Sequence, residues 1–88
     1  MITREVEIRN RLGLHARAAA RFVHTAGRFR ARVSVTRDGR TMDGKSILGI
    51  LLLAASRGAR LTLSADGGDE EACLLALVDL IEGGFGES

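Results

Sequence analysis

Apolar residues recur along the chain with two different periods, and the changes of period mark out its elements. Ile2, Val6 and Ile8 alternate with Thr3, Glu5 and Glu7, the spacing of a half-buried strand. Arg4 interrupts that alternation, as a residue of an edge strand can. Asn10 to Gly13 reads as a loop. From Ala16 to Ala26 the period becomes helical, with Ala19, Phe22, Val23 and Ala26 on one side and Gly27 as the stop. Arg17, Arg21, His24 and Arg28 share the other side, three or four residues apart. Ala31, Val33 and Val35 alternate with Arg30, Arg32, Ser34 and Thr36 as a second strand. Asp38-Gly39 is a hairpin signal, with Arg40 to Met42 as the return strand. Leu61, Leu63 and Ala65 alternate in a fourth strand, and Gly67-Gly68 turns the chain. Asp69, Glu70 and Glu71 put acids at the start of a last helix, which runs to Gly83-Gly84 with Leu74, Leu77, Val78 and Ile81 facing the core.

Between the third and fourth strands the pattern is apolar on every side, with Ile47, Leu48, Ile50, Leu51, Leu52 and Leu53 close together. A short helix on one small sheet cannot bury all of these. If Ile50 and Leu53 face inward, Ile47 and Leu51 face out and form an exposed apolar patch. The resulting order, βαββαβα, predicts an α+β fold. Each strand has one apolar and one polar face, which suits a single antiparallel sheet with its helices on one side. Periodicity alone leaves other α+β arrangements open.

Composition narrows the class. At 88 residues, with 45% hydrophobic and 27% charged positions, the chain fits one small globular domain over residues 1–88. No charged-then-apolar leader opens it, and the longest apolar run is too short to span a bilayer, so the expectation is a cytoplasmic protein that is not membrane-embedded. Charge is unevenly spread. Residues 1–44 carry ten arginines against four acids, a net +6, whereas residues 45–88 carry three bases against seven acids, a net −4. A basic half points to an acidic protein partner or to nucleic acid. The nucleic-acid alternative is the weaker one, because Phe22, Phe29 and Phe85 are the only aromatics and no Tyr or Trp offers a stacking platform.

Few residues carry reactive chemistry. Cys73 sits inside an apolar helical pattern and reads as core. Neither histidine has a cysteine nearby or a Glu-x-x-His arrangement, so no metal site is expected. Gly39 to Ser46 matches G-x-x-x-x-G-K-[ST] letter for letter. That motif cradles nucleotide phosphates only between a buried parallel strand and a following helix, whereas Gly39 here belongs to a hairpin turn. Ser46 reads as a helix N-cap. His15 stands at the start of the first helix, where unpaired amides and the positive end of the helix dipole suit a phosphate. Arg17, two residues on, can add a guanidinium to such a group.

Gly13-Leu14-His15-Ala16-Arg17-Ala18-Ala19 resembles the active-site motif of the HPr family, the histidine-containing phosphocarriers of the bacterial phosphotransferase system. Asp43-Gly44-Lys45-Ser46-Ile47-Leu48-Gly49-Ile50-Leu51 resembles the family's second motif, and Gly84-Phe85-Gly86-Glu87 the tails of its proteobacterial members. One position departs from the pattern: the family usually has proline where this chain has Ala18. The resemblance implies an open-faced β-sandwich, a four-stranded antiparallel sheet with three helices on one face. It implies a carrier that takes a phosphoryl group from enzyme I on Nδ1 of His15 and delivers it to an enzyme IIA domain. Arg17 would stabilise the transferred charge, and an HPr kinase would phosphorylate Ser46 in some bacteria. Arg21, His24, Ile47, Leu48 and Leu51 would meet the partners. The expected carrier is a monomer without cofactor or metal, and a stoichiometric carrier rather than an enzyme. A regulatory module of the same fold without transfer activity is the alternative, which the pairing of His15 with Arg17 disfavours.

Overall fold

The computed structural model describes residues 1–87. Its elements are β1 (Ile2–Glu7), α1 (Ala16–Ala26), β2 (Arg32–Arg37), β3 (Arg40–Asp43), α2 (Ile47–Leu52), β4 (Arg60–Asp66), α3 (Glu70–Glu82) and a 3-10 turn over Gly84–Gly86. The four strands form one sheet in the order β1-β4-β2-β3, with every neighbouring pair antiparallel. β1 is therefore an edge strand, and Arg4 is exposed on it.

The alternation of side chains decides which face is covered. Val33 and Val35 of β2, Leu61, Leu63 and Ala65 of β4, and Val6 of β1 all point to the helices and are buried. Thr3, Glu5, Thr62, Ser64, Ser34, Thr36 and Thr41 occupy the alternate positions in register across the sheet, and that face stays open. The β2–β3 hairpin turns through Asp38 and Gly39, both with positive φ (50° and 79°). This is the conformation that the Asp-Gly pair accommodates and that the twist of the two strands requires.

Helix α1 packs through Ala18, Ala19, Phe22 and Ala26, all within 1% of complete burial. Small side chains let it lie close to its neighbours. Val23, expected on the inner side, is only partly buried, because the buried arc is centred on the line from Ala18 to Phe22. α3 buries Leu74, Leu77, Val78 and Ile81 as its spacing predicts, and Cys73 is buried with them.

α2 corrects the expected orientation in part. Ile50 and Leu53 face inward and Ile47 is exposed, but Leu51 is half-buried against the core. Leu48 and Leu52 stand outside beside Ile47, at 68% and 48% exposure. A helix of one and a half turns rotates freely about its two deepest residues, so neighbours decide its remaining contacts. Ser46 caps α2 as expected, its hydroxyl accepting the Gly49 amide at 3.1 Å.

Glu70 and Glu71 lie in the first turn of α3, as expected for acids at a helix start, while Asp69 before them takes a further part. The Asp69 carboxylate accepts the backbone amides of Arg30 and Ala31 at 2.9 and 2.8 Å, tying the start of α3 to the entry of β2. The amide bonds, that of Arg30 foremost, hold the Asp69 carboxyl below its usual range. The folded carboxyl thus loses its proton more readily than the unfolded one. Its stabilisation is complete above the unfolded value near 4 and disappears as pH falls through the lower folded value. Asp69→Asn supplies one acceptor oxygen for two donors, so the variant is expected to melt below the parent at pH 7, with the gap closing under about pH 4. Thermal melts at five pH values check this, and a gap independent of pH would remove the carboxylate charge from the account.

Candidate functional site

His15 is the N-cap residue of α1, with φ −72° and ψ 175°. Its carbonyl accepts the first intrahelical bond, from Ala19 at 2.9 Å, so the amides of Ala16, Arg17 and Ala18 precede the ladder and point out of the helix start. The imidazole does not cap its own helix. It turns instead toward the segment after α3, where Nε2 lies 2.5 Å from Oε2 of Glu87. Both side chains are partly buried, at 27% and 17% exposure.

The loop before α1 fixes where this ring stands. Gly13 has φ +66°, and a Cβ there would lie 2.5 Å from the Ala55 carbonyl oxygen. That close approach lets the Leu14 amide donate to the same oxygen at 2.9 Å. Asn10, 4% exposed, spans the loop from inside: its Nδ2 donates to the Gly13 carbonyl at 2.7 Å and to Oε1 of Glu87 at 3.0 Å. The bond from Asn10 is the largest cause holding the Glu87 carboxyl below its ordinary range, and His15 and Arg21 act in the same direction against the cost of burial.

Glu87 is delivered by a tight turn. Gly84, Phe85 and Gly86 all have positive φ, at 65°, 58° and 74°, and the Phe85 ring is 1% exposed in the core. The Arg21 guanidinium donates to the Phe85 carbonyl. Arg21, expected on the partner face, thus spends one donor inside the molecule. Arg17 is exposed and makes no ion pair or hydrogen bond among the described residues. It shares with His15, Arg11, Leu12 and Glu87 an open hollow of about 720 Å³. His24 is exposed about two turns beyond Arg17, beside a second hollow of about 430 Å³ that Arg17 and Leu80 also line.

A phosphocarrier motif on this fold can be compared with known proteins. A family model described as "PTS HPr component phosphorylation site" matches residues 2–83. The chain belongs to the HPr family. The phosphocarrier protein HPr of Neisseria meningitidis is 47% identical over 87 residues, 99% of this chain and 98% of that one. The crystal structure of an HPr from Thermoanaerobacter tengcongensis superposes with a TM-score of 0.97 at 49% identity, covering 100% of this chain and 99% of the other. A dimer structure of HPr from that organism matches with a TM-score of 0.80 at 51% identity, over 93% and 94% of the two chains. HPr proteins are phosphocarriers of the phosphotransferase system and not enzymes, and the open-faced fold expected for the family is the fold observed.

Within this HPr fold the residues singled out by sequence fall into two groups. His15, Arg17 and Arg21 meet at the start of α1, while Ser46, Ile47 and Leu48 lie on α2, which packs beside α1. Asn10, Glu87 and exposed Leu12 were not singled out. Asn10 had no signal beyond its place in a loop, and Glu87 had only the resemblance of its tail. The nucleotide-loop match has no structural counterpart: Arg40–Asp43 is an extended strand, and the Gly44 amide donates to the Val33 carbonyl at 2.8 Å. No helix is long and apolar enough to cross a membrane among the described residues. Gly13→Ala is expected to lower unfolding stability by roughly 2 kcal/mol or more, combining left-handed strain with the clash at Ala55. A urea titration reads the loss, and an unchanged midpoint would mean that the loop moves freely away from Ala55.

Proposed function

We propose that His15 accepts a phosphoryl group on Nδ1 from phosphorylated enzyme I and passes it to an enzyme IIA domain. The observation that carries this reading is the partnering of the ring. Nε2 is engaged by Glu87 while Nδ1 has no protein partner among the described residues, beside helix-start amides without acceptors. In the forward step the Nδ1 lone pair forms a bond to phosphorus as the donor's bond to phosphorus breaks, its electron pair returning to the donor. Arg17 offers two N–H groups to the phosphoryl oxygens, and the first-turn amides offer more. Arg17, Arg21 and His24 are the basic side of the docking face and Ile47, Leu48 and Leu51 its apolar side, a combination suited to acidic partners with apolar grooves. Among the latter, Leu48 is the most exposed and Leu51 the least.

Ser46 is the regulatory site of this reading, as a substrate of an HPr kinase. Its oxygen already accepts the Gly49 amide, and a phosphoserine adds about −1.5 to −2 charges at neutral pH. The charge falls next to exposed Ile47 and Leu48, where it opposes an acidic partner and makes apolar contact costlier.

Incubation with enzyme I and phosphoenolpyruvate is expected to add one acid-labile phosphate to the parent and none to His15→Ala, with unchanged circular dichroism. Labelling of His24 in that variant would move the acceptor. Arg17→Lys keeps the charge but not the planar fork, and its transfer is expected to slow several-fold. A parent-like rate would take bidentate contact out of the mechanism. Ser46→Asp should slow phosphorylation by enzyme I, most at low salt, while Ser46→Ala stays near the parent. Equal rates for Ser46→Asp and parent at both ionic strengths would leave Ser46 as a helix cap.

A further inference from the structure

We infer that Glu87 is a positioning residue for transfer, holding His15 as the Nε2–H tautomer so that Nδ1 alone presents a lone pair. The inference deepens the reading of His15 as acceptor and rests on it. A carboxylate in its ionised form only accepts hydrogen bonds, so the proton between Oε2 and Nε2, 2.5 Å apart, belongs to the ring. A neutral imidazole carries one such proton. With Nε2 protonated, Nδ1 is the nucleophile.

Glu87 is itself held at both carboxylate oxygens. Its Oε1 takes the Asn10 amide at 3.0 Å, and Asn10 also donates to the Gly13 carbonyl at 2.7 Å. Both partners are acceptors, so Nδ2 of Asn10 must be the atom facing them, and Oδ1 is left buried without a partner. An orphaned buried acceptor costs stability. It persists here because the same side chain fixes the loop before His15 and the carboxylate beside it. Three successive left-handed residues, the buried Phe85 ring and the Arg21 bond to the Phe85 carbonyl return the chain over the start of α1. Phe85 is the one residue of the three with a Cβ to strain.

The contact gains a second use once phosphorus is bound. As the Nδ1–P bond forms and the donor bond breaks, Nε2 keeps its hydrogen and the ring becomes cationic. No proton moves, and the new positive charge faces the Glu87 carboxylate across a bond already made. Release to the acceptor reverses the same steps.

Two substitutions separate this role from a purely structural latch. Glu87→Ala removes the acceptor and frees the ring. Glu87→Gln is nearly isosteric, but the Gly13 carbonyl keeps the donor Nδ2 of Asn10 on this side, so the glutamine oxygen faces Asn10 and its NH₂ faces Nε2. That donor pins the proton on Nδ1, the wrong tautomer, as an amide in place of a carboxylate does beside other catalytic histidines. In ¹⁵N spectra of ring-labelled protein above pH 8, the parent is expected to show protonated Nε2 only, Glu87→Ala a mixture, and Glu87→Gln a majority of protonated Nδ1. Phosphorylation by enzyme I and phosphoenolpyruvate should fall in the order parent, Ala, Gln, with Gln about tenfold or more below the parent. Melting curves alongside confirm that all three are folded. A parent-like nitrogen pattern in Glu87→Gln, or faster transfer by Gln than by Ala, overturns the assignment. Should the parent itself take no phosphate on His15, the acceptor reading fails, while the nitrogen spectra still decide whether Glu87 sets the tautomer.

Discussion

The placement of the site depends on one close backbone contact, that of Gly13 and Leu14 with Ala55. Leu14 donates to the Ala55 carbonyl at 2.9 Å, and Gly13 leaves the room a Cβ would fill. The contact ties the end of the first loop to the chain that leaves α2, so the start of α1 is set against the C-terminal end of α2. α1 then has no freedom to slide, because its inner face of alanines and Phe22 is buried to within 1%. A helix packed through alanines keeps its distance from the sheet, since few side-chain rotamers are left to absorb a shift. The amides of its first turn therefore stand in fixed directions. That is what an anion cradle requires.

How much of this was legible in the sequence follows from the range of the interactions involved. Alternation and helical spacing are local, and they located α1 from Ala16 to Ala26, the Asp38-Gly39 hairpin and the inner face of α3. The two-faced strands also pointed to one antiparallel sheet covered on one side, and the family motifs supplied what periodicity could not, the choice of the open-faced topology among α+β arrangements. What stayed hidden joins residues far apart in the chain. Asn10 and Glu87 are 77 positions apart, and Asp69 reaches Ala31 across 38; nothing in the local pattern of either acid distinguishes a clamp from a solvated charge. The half-buried state of Leu51 was hidden for another reason. Six apolar residues in seven positions leave helical phase undefined, and only the packed neighbours settle it.

The letters from Gly39 to Ser46 show the opposite failure, a motif present without its chemistry. A phosphate loop works by pointing several successive amides at one centre. Here Arg40–Asp43 are extended and their backbone groups belong to the β2–β3 ladder, while the Gly44 amide is spent on Val33. The glycine at 44 is explained by crowding: a Cβ would come within 2.3 Å of the Val33 side chain. The lysine side chain is also occupied, donating to the Phe29 carbonyl at 2.7 Å. Each residue of the apparent motif has a structural duty, so the sequence match needs no nucleotide to account for it.

A carrier has a different requirement from an enzyme that retains its product, and the proposed site is built to match. Holding a phosphoryl group too well would stop its onward transfer, and differential binding raises rate only where the transition state gains more than the bound state. The described surroundings of His15 offer first-turn amides and an exposed guanidinium at Arg17, with no buried cation fixed on Nδ1. Solvent reaches the hollow, so each charge contact there is weaker than it would be in a closed site. The enclosed and well-tethered partner, Glu87, lies on the other nitrogen. In the positioning role inferred for it, Glu87 acts on the state of the ring and leaves the phosphoryl oxygens free. On that arrangement the protein fixes which atom reacts, and leaves the strength with which the group is held to be completed by whichever partner closes over the open side.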